Sequence, residues 1–315
     1  MPEDDDQAPR VSSTKRVGWR VSLPTSPPRL DDAKLMDYRH PNELPMLWLA
    51  LMTLAALVVA AIVLKHKEIL FGVAAIWLAM VVTSLQAVTY NLLRGAEVTP
   101  AQFPAIYQTV QELRQRFQAP PIRVFVVRQQ STRVETLGFR APYTIVLPSV
   151  LLDSLEADQL RYVLGRALGH ICFGHTRVAL LLGGDESTLP SLFSWLAQVR
   201  NLLFGGYRKA EVLSADRAGI LASGIGVAIE TQVRLSVGNS QMRQVKGDDL
   251  IDQAYQLSRG LGRLQAWLII LQSSTPPLIH RLQAMVEWAG MPRPNPVMNP
   301  DRGDDDLETP DLVQN

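Results

Sequence analysis

Two long apolar runs dominate the first third of the chain. Residues 44–64 read LPMLWLALMTLAALVVAAIVL and residues 69–93 read ILFGVAAIWLAMVVTSLQAVTYNLL, and neither run contains a charged residue. Each run is long enough to cross the roughly 30 Å hydrocarbon core of a bilayer as a helix. A short polar link, residues 65–68, separates them. The pattern predicts a transmembrane helical hairpin over residues 44–93, with a pair of buried core helices as the alternative.

Basic residues favour one orientation of this hairpin. More of them flank the side of the chain ends (Arg29, Lys34, Arg39 and Arg94) than the link (Lys65 and Lys67). The positive-inside rule therefore predicts a multi-pass integral membrane protein whose main domain is cytoplasmic. About 40 mostly polar residues precede the first apolar run, which is not the pattern of a cleaved signal peptide.

Both ends of the chain have the composition of disordered segments. Residues 1–40 are rich in Pro, Ser and charge, and residues 291–315 form an acidic tail interrupted by prolines; both are predicted to be disordered. The formal net charge of +1 gives no indication of a nucleic-acid partner. A single cysteine, Cys172, excludes an internal disulfide framework and a multi-cysteine zinc cluster within this sequence.

The region between the hairpin and the tail, residues 95–290, mixes helical and strand patterns. Thr99, followed by Pro100, predicts the start of a helix with a capping box. The β-branched and apolar segments 122–127 (IRVFVV) and 143–147 (YTIVL) predict two strands. The fold class predicted is α+β: a transmembrane hairpin followed by a mostly helical domain with a small β-sheet.

A central helix carries the candidate chemistry. Asp153 can cap it, and it then presents one continuous apolar stripe, formed by Leu160, Val163, Leu164, Ala167, Leu168 and Ile171. Arg166 and His170 are four residues apart and therefore neighbours on its surface. Further helices are predicted over 210–224 and 274–290. The amphipathic segment 192–207 could lie on a membrane surface or pack against the core.

Several motifs in this order resemble a known family. The helix contains VLGRALGHICFGH (163–175), and SADRAG (214–219) and STPPLIHRLQAM (274–285) follow it. Together with the hairpin, this resembles the integral-membrane zinc metallopeptidases of the HtpX and CAAX-prenyl-protease type, metallopeptidase family forty-eight. The resemblance covers about residues 95–290 and implies a zincin-like peptidase domain. In typical members a His-Glu-x-x-His helix supplies two zinc ligands and a general base, and a later Glu-x-x-x-Asp motif supplies the third ligand.

Most of these functional positions are substituted here. Arg166 stands at the first histidine position, Ala167 at the general-base position and Val212 at the third-ligand position. His170 is the only ligand position that is retained, and Asp216 of the later motif is also kept. Gly174-His175, which end the motif, are also kept. Glu211 lies one residue from the third-ligand position. Arg133 and Thr275 stand where typical members carry an asparagine and a histidine.

These substitutions remove the chemistry that zinc hydrolysis needs. A catalytic zinc needs three protein ligands and a carboxylate that takes a proton from the bound water. Ala167 has no proton acceptor, and loss of a general base costs about 10² to 10⁴ in rate. The guanidinium of Arg166 has no lone pair to give to a metal ion. It also carries a fixed positive charge that repels the ion: two like unit charges 4 Å apart repel by roughly 4 kcal/mol at an effective dielectric of 20. We therefore expect no catalytic residue, no tight zinc site and no other cofactor.

A rebuilt metal site is not favoured by helix geometry either. His170, Cys172, His175 and Glu211 are the candidate ligands. His175 lies about 140° around the helix from His170 if the helix continues that far, and Glu211 is rotated by about 100° from the family's ligand position. His170 is predicted to be a buried, hydrogen-bonded residue, and Cys172 a small buried apolar one.

Two interpretations of Arg166 remain open. It could be a solvated surface residue, or its guanidinium could occupy the former metal position and pair with Asp216 or Glu211, linking two helices. Three functions follow from these observations. The chain could be an inactive pseudoprotease that binds a protein or peptide partner, an active zinc-dependent membrane endopeptidase with displaced ligands, or a structural membrane protein with a filled cleft. The lipid bilayer is a partner in all three.

Overall fold

The structure is a computed structural model that describes residues 35–182, 194–238, 273 and 275–290. The predicted disordered tail, residues 291–315, and residues 1–34 lie outside the described residues. The last part of the predicted N-terminal disordered region is ordered, because Leu35–Tyr38 forms a 3₁₀ helix with Leu35 buried in the core. Residues 35–43 then pack against the helical domain, as described below for Arg39 and Glu43.

Two helices precede the domain. Helix α1 (Glu43–Val63) is long and apolar enough to cross a membrane, and almost all of it is exposed; Met52 and Val63, for example, are 66% and 71% accessible. Helix α2 (Lys67–Arg94) is longer, but only its shorter segment Leu70–Thr83 is continuously apolar. The second half of the predicted span 69–93 contains serine, threonine, glutamine and asparagine, which lower its hydropathy. Of the two predicted spans, only the first therefore meets the length and composition of a membrane helix.

A four-stranded mixed sheet follows, with strand order β1-β2-β4-β3. The strands are β1 (Ala96–Glu97), β2 (Ile122–Val127), β3 (Glu135–Leu137) and β4 (Tyr143–Pro148). The two predicted strands are confirmed as β2 and β4, which pair in parallel, while β1 and β3 join them antiparallel at the two edges. All six residues of β4 are buried. The TIVL segment is therefore a central strand with no free edge, and β3 is the edge strand on its side of the sheet.

The rest of the described domain is helical. Its helices are α3 (Pro104–Arg116), α4 (Ser149–Ser154), α5 (Ala157–Cys172), α6 (His175–Leu181), α7 (Ser194–Ser223), α8 (Ile225–Val237) and α9 (Leu278–Trp288). One hydrophobic core joins them to the sheet, with side chains from β4, α5, α7, α8 and α9 at its centre. The fold is thus mostly helical α+β, as the sequence predicts for this region.

Helix α5 packs unusually closely against α7. A Cβ atom added at Gly165 would lie 2.3 Å from Cβ of Ala222, and one added at Gly169 would lie 2.5 Å from Cβ of Ala218. Such distances are far inside van der Waals contact, so only glycine fits at these two positions. Small residues on both helices bring the two backbones together, and this close approach sets the position of Arg166 relative to Asp216.

Four predicted helix starts are displaced in the structure. The helix predicted over 210–224 is the second half of α7, which begins at Ser194. Thr99 caps a turn through a 3.1 Å hydrogen bond from the backbone N–H of Gln102, and α3 begins only at Pro104. Asp153 lies in the separate helix α4, and Glu156 caps α5 in a capping box with Gln159. The final helix begins at Leu278 after the two prolines, because a residue that precedes a proline is disfavoured in the helical region, and Pro277 is the N-cap with an extended backbone.

Candidate functional site

Arg166, Asp216 and Arg281 meet where α5, α7 and α9 converge. The Nε atom of Arg166 lies 3.0 Å from Oδ1 of Asp216. Arg281 binds the same carboxylate through two hydrogen bonds, Nε to Oδ2 at 2.8 Å and Nη2 to Oδ1 at 2.6 Å. We call these three residues, with Tyr162 and Gln232, the arginine–aspartate cluster. It links three helices through one carboxylate.

Two buried neutral residues complete the arginine–aspartate cluster. Tyr162 is fully buried and its hydroxyl donates to Oδ1 of Asp216 at 3.1 Å, while Gln232 of α8 donates to the same hydroxyl at 2.6 Å. Burial and the neighbouring Asp216 charge raise the pKa of Tyr162, which therefore stays protonated and can donate. Burial alone would lower the pKa of Arg281, but the Asp216 carboxylate raises it overall. Asp216 is thus held as a paired carboxylate.

The predicted pairing of Arg166 with a carboxylate is confirmed, and its partner is Asp216. The bidentate geometry expected of Arg166 is found instead at Arg281, which the sequence did not indicate as a site residue. Arg166 makes a looser contact: its Nε is buried but makes no hydrogen bond. Burial and the nearby Arg281 charge lower the pKa of Arg166. The first interpretation, a freely solvated Arg166, is wrong because its side chain is only 27% accessible.

The second polar group in the site is built around two histidines. The Nδ1 atoms of His170 and His175 lie 3.0 Å apart, and Nε2 of His175 lies 2.9 Å from Oε1 of Glu43. With His175 donating from Nε2 to the carboxylate, its Nδ1 accepts a hydrogen bond from Nδ1–H of His170. We call His170, His175 and Glu43 the histidine–glutamate chain. It leaves one ring lone pair, on Nε2 of His170.

The expected 140° separation of His170 and His175 is wrong. Helix α5 ends at Cys172, and Gly174 adopts a left-handed conformation with φ of +82°. This turn starts α6 at His175 and brings the second imidazole back against the first. Burial, and after it the neighbouring His175, lowers the pKa of His170 well below its ordinary value, so His170 is neutral at pH 7. The predicted hydrogen bond of His170 is confirmed, but its side chain is part-buried and not fully buried as predicted.

Glu43, the first residue of α1, anchors the start of the apolar helix in the domain. Its side chain is 1% accessible and forms an ion pair with Arg39 at 3.1 Å. Ser214 of α7 also donates a hydrogen bond to it. Arg39 donates to the backbone carbonyl of Phe173 at the end of α5. The sequence pattern did not indicate this site residue, because an acidic residue beside an apolar run is usual at a helix start.

The remaining predicted site positions are placed as follows. Ala167 and Val212 are buried apolar residues at 4% and 5% accessibility. Glu211 lies on the side of Tyr207 and His175 rather than in the arginine–aspartate cluster, and burial raises its pKa. Burial also raises the pKa of Cys172 to about 12, which makes its thiol unreactive.

Arg133 and Thr275 stand at the two positions where the resemblance implies an asparagine and a histidine. Both are exposed in the structure. Arg133 lies at the start of the segment that leads into β3, and its charge acts on both Arg166 and His170, lowering their pKa values after the larger effects of burial and nearer neighbours. It therefore adds positive charge to the site.

The residues present do not fit the zinc site that the resemblance implies. His175 uses both ring nitrogens within the histidine–glutamate chain, and Glu43 is held by Ser214, Arg39 and His175. The one available lone pair on His170 stands beside the positive charge of Arg166, which acts on it directly. Within the described parts of the chain, no three His, Cys, Asp or Glu side chains converge in a metal-binding geometry. A tetrahedral site with three protein ligands cannot be assembled from this donor set.

A cleft of about 270 Å³ opens beside Asp216, on the side of α9. Its polar wall includes His40 and Arg217, and its apolar wall includes Met285 and Trp288. Arg217 lies over the ring of Trp288 at 5.5 Å and donates hydrogen bonds to the carbonyls of Tyr38 and Arg39. These contacts fix residues 38–43 against α7 and α9.

Comparison with known proteins places these residues in a family. The model of Peptidase family M48 matches residues 100–289, more than half of the chain. Similar proteins include two named "Protease HtpX homolog", from Nostoc punctiforme (26% identity over 54% of this chain and 59% of the relative) and from a Nostoc sp. strain (27% over 55% and 61%). A third, from Desulforapulum autotrophicum, is 24% identical over 39% of this chain and 40% of the relative. The chain thus spans about three fifths or less of the relatives that it matches.

Proposed function

We propose that this chain, which belongs to peptidase family M48, is a membrane-anchored pseudoprotease that binds a protein or peptide partner without hydrolysing it. The observation that carries this proposal is the 3.0 Å contact between Nε of Arg166 and Oδ1 of Asp216. A cationic side chain stands at the first-ligand position and is paired with the carboxylate of the later motif. Family membership supports the scaffold, and the substituted donor set supports the loss of hydrolysis.

Membrane anchoring by a hairpin is part of the proposal. Helix α1 has the length and composition of a span, and its large apolar side chains face outward; Trp48 and Leu49 are 64% and 63% accessible. Burying such a surface in lipid is favourable by about 25 cal/mol per Å². Helix α2 would return the chain through the membrane with Leu70–Thr83 as its apolar part. The basic residues around the hairpin favour a cytoplasmic domain.

Partner binding is supported by the edge of the sheet. Among the described residues, strand β3 pairs with β4 alone, through Glu135 with Val146, Thr136 with Ile145 and Leu137 with Thr144. The outer side of an edge strand presents backbone N–H and C=O groups that an extended peptide can pair with. Helix α5 contacts β3, so an added strand would lie beside the helix that carries Arg166.

Fluorescein-labelled β-casein, an extended protein, is a suitable probe of this function. The full chain in detergent micelles would be titrated into the probe by fluorescence anisotropy, and the same mixture would be followed by gel electrophoresis. We expect saturable binding with the casein left intact, in added zinc and in chelator alike.

Two other outcomes would reject the pseudoprotease. Casein cleavage that a chelator abolishes would establish the zinc-dependent endopeptidase with displaced ligands, the activity that the names of the relatives suggest. Absence of binding and of cleavage would favour a structural membrane protein with a filled cleft.

A further inference from the structure

The arginine–aspartate cluster holds more positive than negative charge. Arg166 and Arg281 share the single carboxylate of Asp216, and Arg281 takes both of its oxygens. Tyr162 and Gln232 are neutral and cannot balance this excess. A positive charge held in a part-buried site without a full counter-charge favours binding of an anion.

Arg166 is the member of the cluster that a ligand can reach. Its side chain is 27% accessible, against 14% for Arg281 and 2% for Asp216. Its Nε is buried and makes no hydrogen bond, although it lies close to Asp216. That buried Nε is out of reach of a ligand, so the donors that Arg166 can offer to an incoming acceptor are its terminal Nη groups, whereas Nε and Nη2 of Arg281 are directed at Asp216.

A carboxylate matches these donors. The planar guanidinium of arginine binds a carboxylate through two parallel hydrogen bonds, and such charge-assisted bonds are about twice as strong as neutral ones. A bound carboxylate would give the cluster two cations and two anions. We propose that Arg166 binds a carboxylate group of the peptide partner, either an acidic side chain or a chain terminus. This inference rests on the proposed function, because it names the group by which that partner is recognised.

The test uses small probes and the whole protein. The full chain, labelled with ¹⁵N-arginine and held in detergent micelles, would be observed through its arginine Nε–H signals. Three probes would be titrated at constant ionic strength: N-acetylglycine (a chain terminus), N-acetylglutamic acid α-methylamide (an acidic side chain) and the neutral N-acetylglycine methylamide. The Arg166 signal is assigned by its loss in Arg166→Lys. Arg123, which forms a surface pair with Glu97 at 2.7 Å, is the control signal in the same spectra.

We expect a saturable shift of the Arg166 signal with at least one carboxylate probe, no shift with the neutral amide, and no change at Arg123. A response to only one carboxylate probe identifies the source of the group as terminus or side chain. Equal shifts of the Arg166 signal with the neutral amide would overturn the proposal. The absence of a response of any arginine signal to either carboxylate would also overturn it, and this result does not depend on the Arg166→Lys assignment. Inorganic phosphate is a fourth arm: saturation at lower concentration than either carboxylate would reassign the site to phosphate and reject the carboxylate.

The two proposals fail separately. A saturable carboxylate shift without casein binding would reject the proposed function and leave the anion site in place. Casein binding with no arginine response would leave the proposed function in place and reject the carboxylate site.

Discussion

Nε of Arg166 lies 3.0 Å from Oδ1 of Asp216, across the interface between α5 and α7. In typical family members the resemblance places a zinc ligand at the Arg166 position, so an ion pair here joins the two helices that the metal would join. Arg281 binds the same carboxylate more tightly, with two hydrogen bonds. Asp216 therefore has two arginine partners: Arg281, which holds the carboxylate in the structure, and Arg166, which is more accessible.

This division predicts unequal effects of substitution. Asp216→Asn leaves two arginines in a part-buried site without a counter-charge, and we expect it to lower the free energy of unfolding by about 3–5 kcal/mol. Arg166→Met leaves the Asp216–Arg281 pair intact and should cost about 1 kcal/mol or less. Denaturant midpoints of both variants in micelles measure the difference. Equal losses would show that Arg166 contributes as much to stability as the whole network around Asp216, and would contradict this division.

The close contact of α5 with α7 predicts a reciprocal pair of substitutions. Gly165→Ala improves helix propensity by about 1 kcal/mol, yet its Cβ would lie 2.3 Å from Cβ of Ala222. Overpacking of this kind costs about 1–3 kcal/mol, so we expect a net loss of stability.

The matched variant moves the methyl group to the other helix. Gly165→Ala combined with Ala222→Gly restores the space between the helices. The double variant should therefore be more stable than the sum of the two single changes in unfolding free energy predicts. A double-mutant cycle of unfolding free energies measures this coupling. Simple additivity would contradict the packing described for α5 and α7.

The histidine–glutamate chain predicts a pH dependence. The pKa of His170 lies well below 6.5 in the folded chain because of burial, whereas in the unfolded chain it returns to about 6.5. The unfolded state therefore binds the extra proton as pH falls below about 6.5, and stability decreases there by up to about 1.4 kcal/mol per pH unit. Above that pH the His170 contribution is constant.

His170→Gln should remove this slope, since glutamine does not titrate and can still hydrogen-bond to His175. His40 and His280 also have lowered pKa values, and Glu211 has a raised one, but all three are present in both proteins. The difference between wild type and variant from pH 5 to pH 7 therefore isolates His170. An unchanged slope would mean that His170 titrates normally in the folded chain.

The sequence predicts the elements that local patterns determine. Strands β2 and β4 carry dense β-branched and apolar residues, and both are confirmed. Strands β1 and β3 have only two and three residues, too few to show a periodic pattern. Helix α5 starts after Glu156 and not after Asp153, although aspartate is a preferred N-cap residue and glutamate is not, so tertiary packing overrides the local signal here.

The sequence predicts only part of the site, because several of its contacts join residues that are far apart in the chain. The Arg166–Asp216 pair followed from the loss of two ligand positions, at Arg166 and Val212, together with the retained carboxylate of Asp216. The contacts of Glu43 and Arg281 bridge 132 and 65 residues of sequence, and no spacing rule connects them. The meeting of His170 with His175 depends on the left-handed turn at Gly174, for which the glycine itself was the available signal.

The most direct test of the central claim is zinc stoichiometry. The wild-type chain and the variant Arg166→His/Ala167→Glu/Val212→Glu would be purified in parallel, equilibrated with zinc, dialysed and measured by inductively coupled plasma mass spectrometry. The substituted donor set predicts zinc far below one equivalent in the wild type, and about one equivalent in the variant, which regains a histidine and a glutamate as ligands beside the retained His170. One equivalent of tightly held zinc in the unmodified chain, with chelator-reversible peptide hydrolysis, would contradict the account.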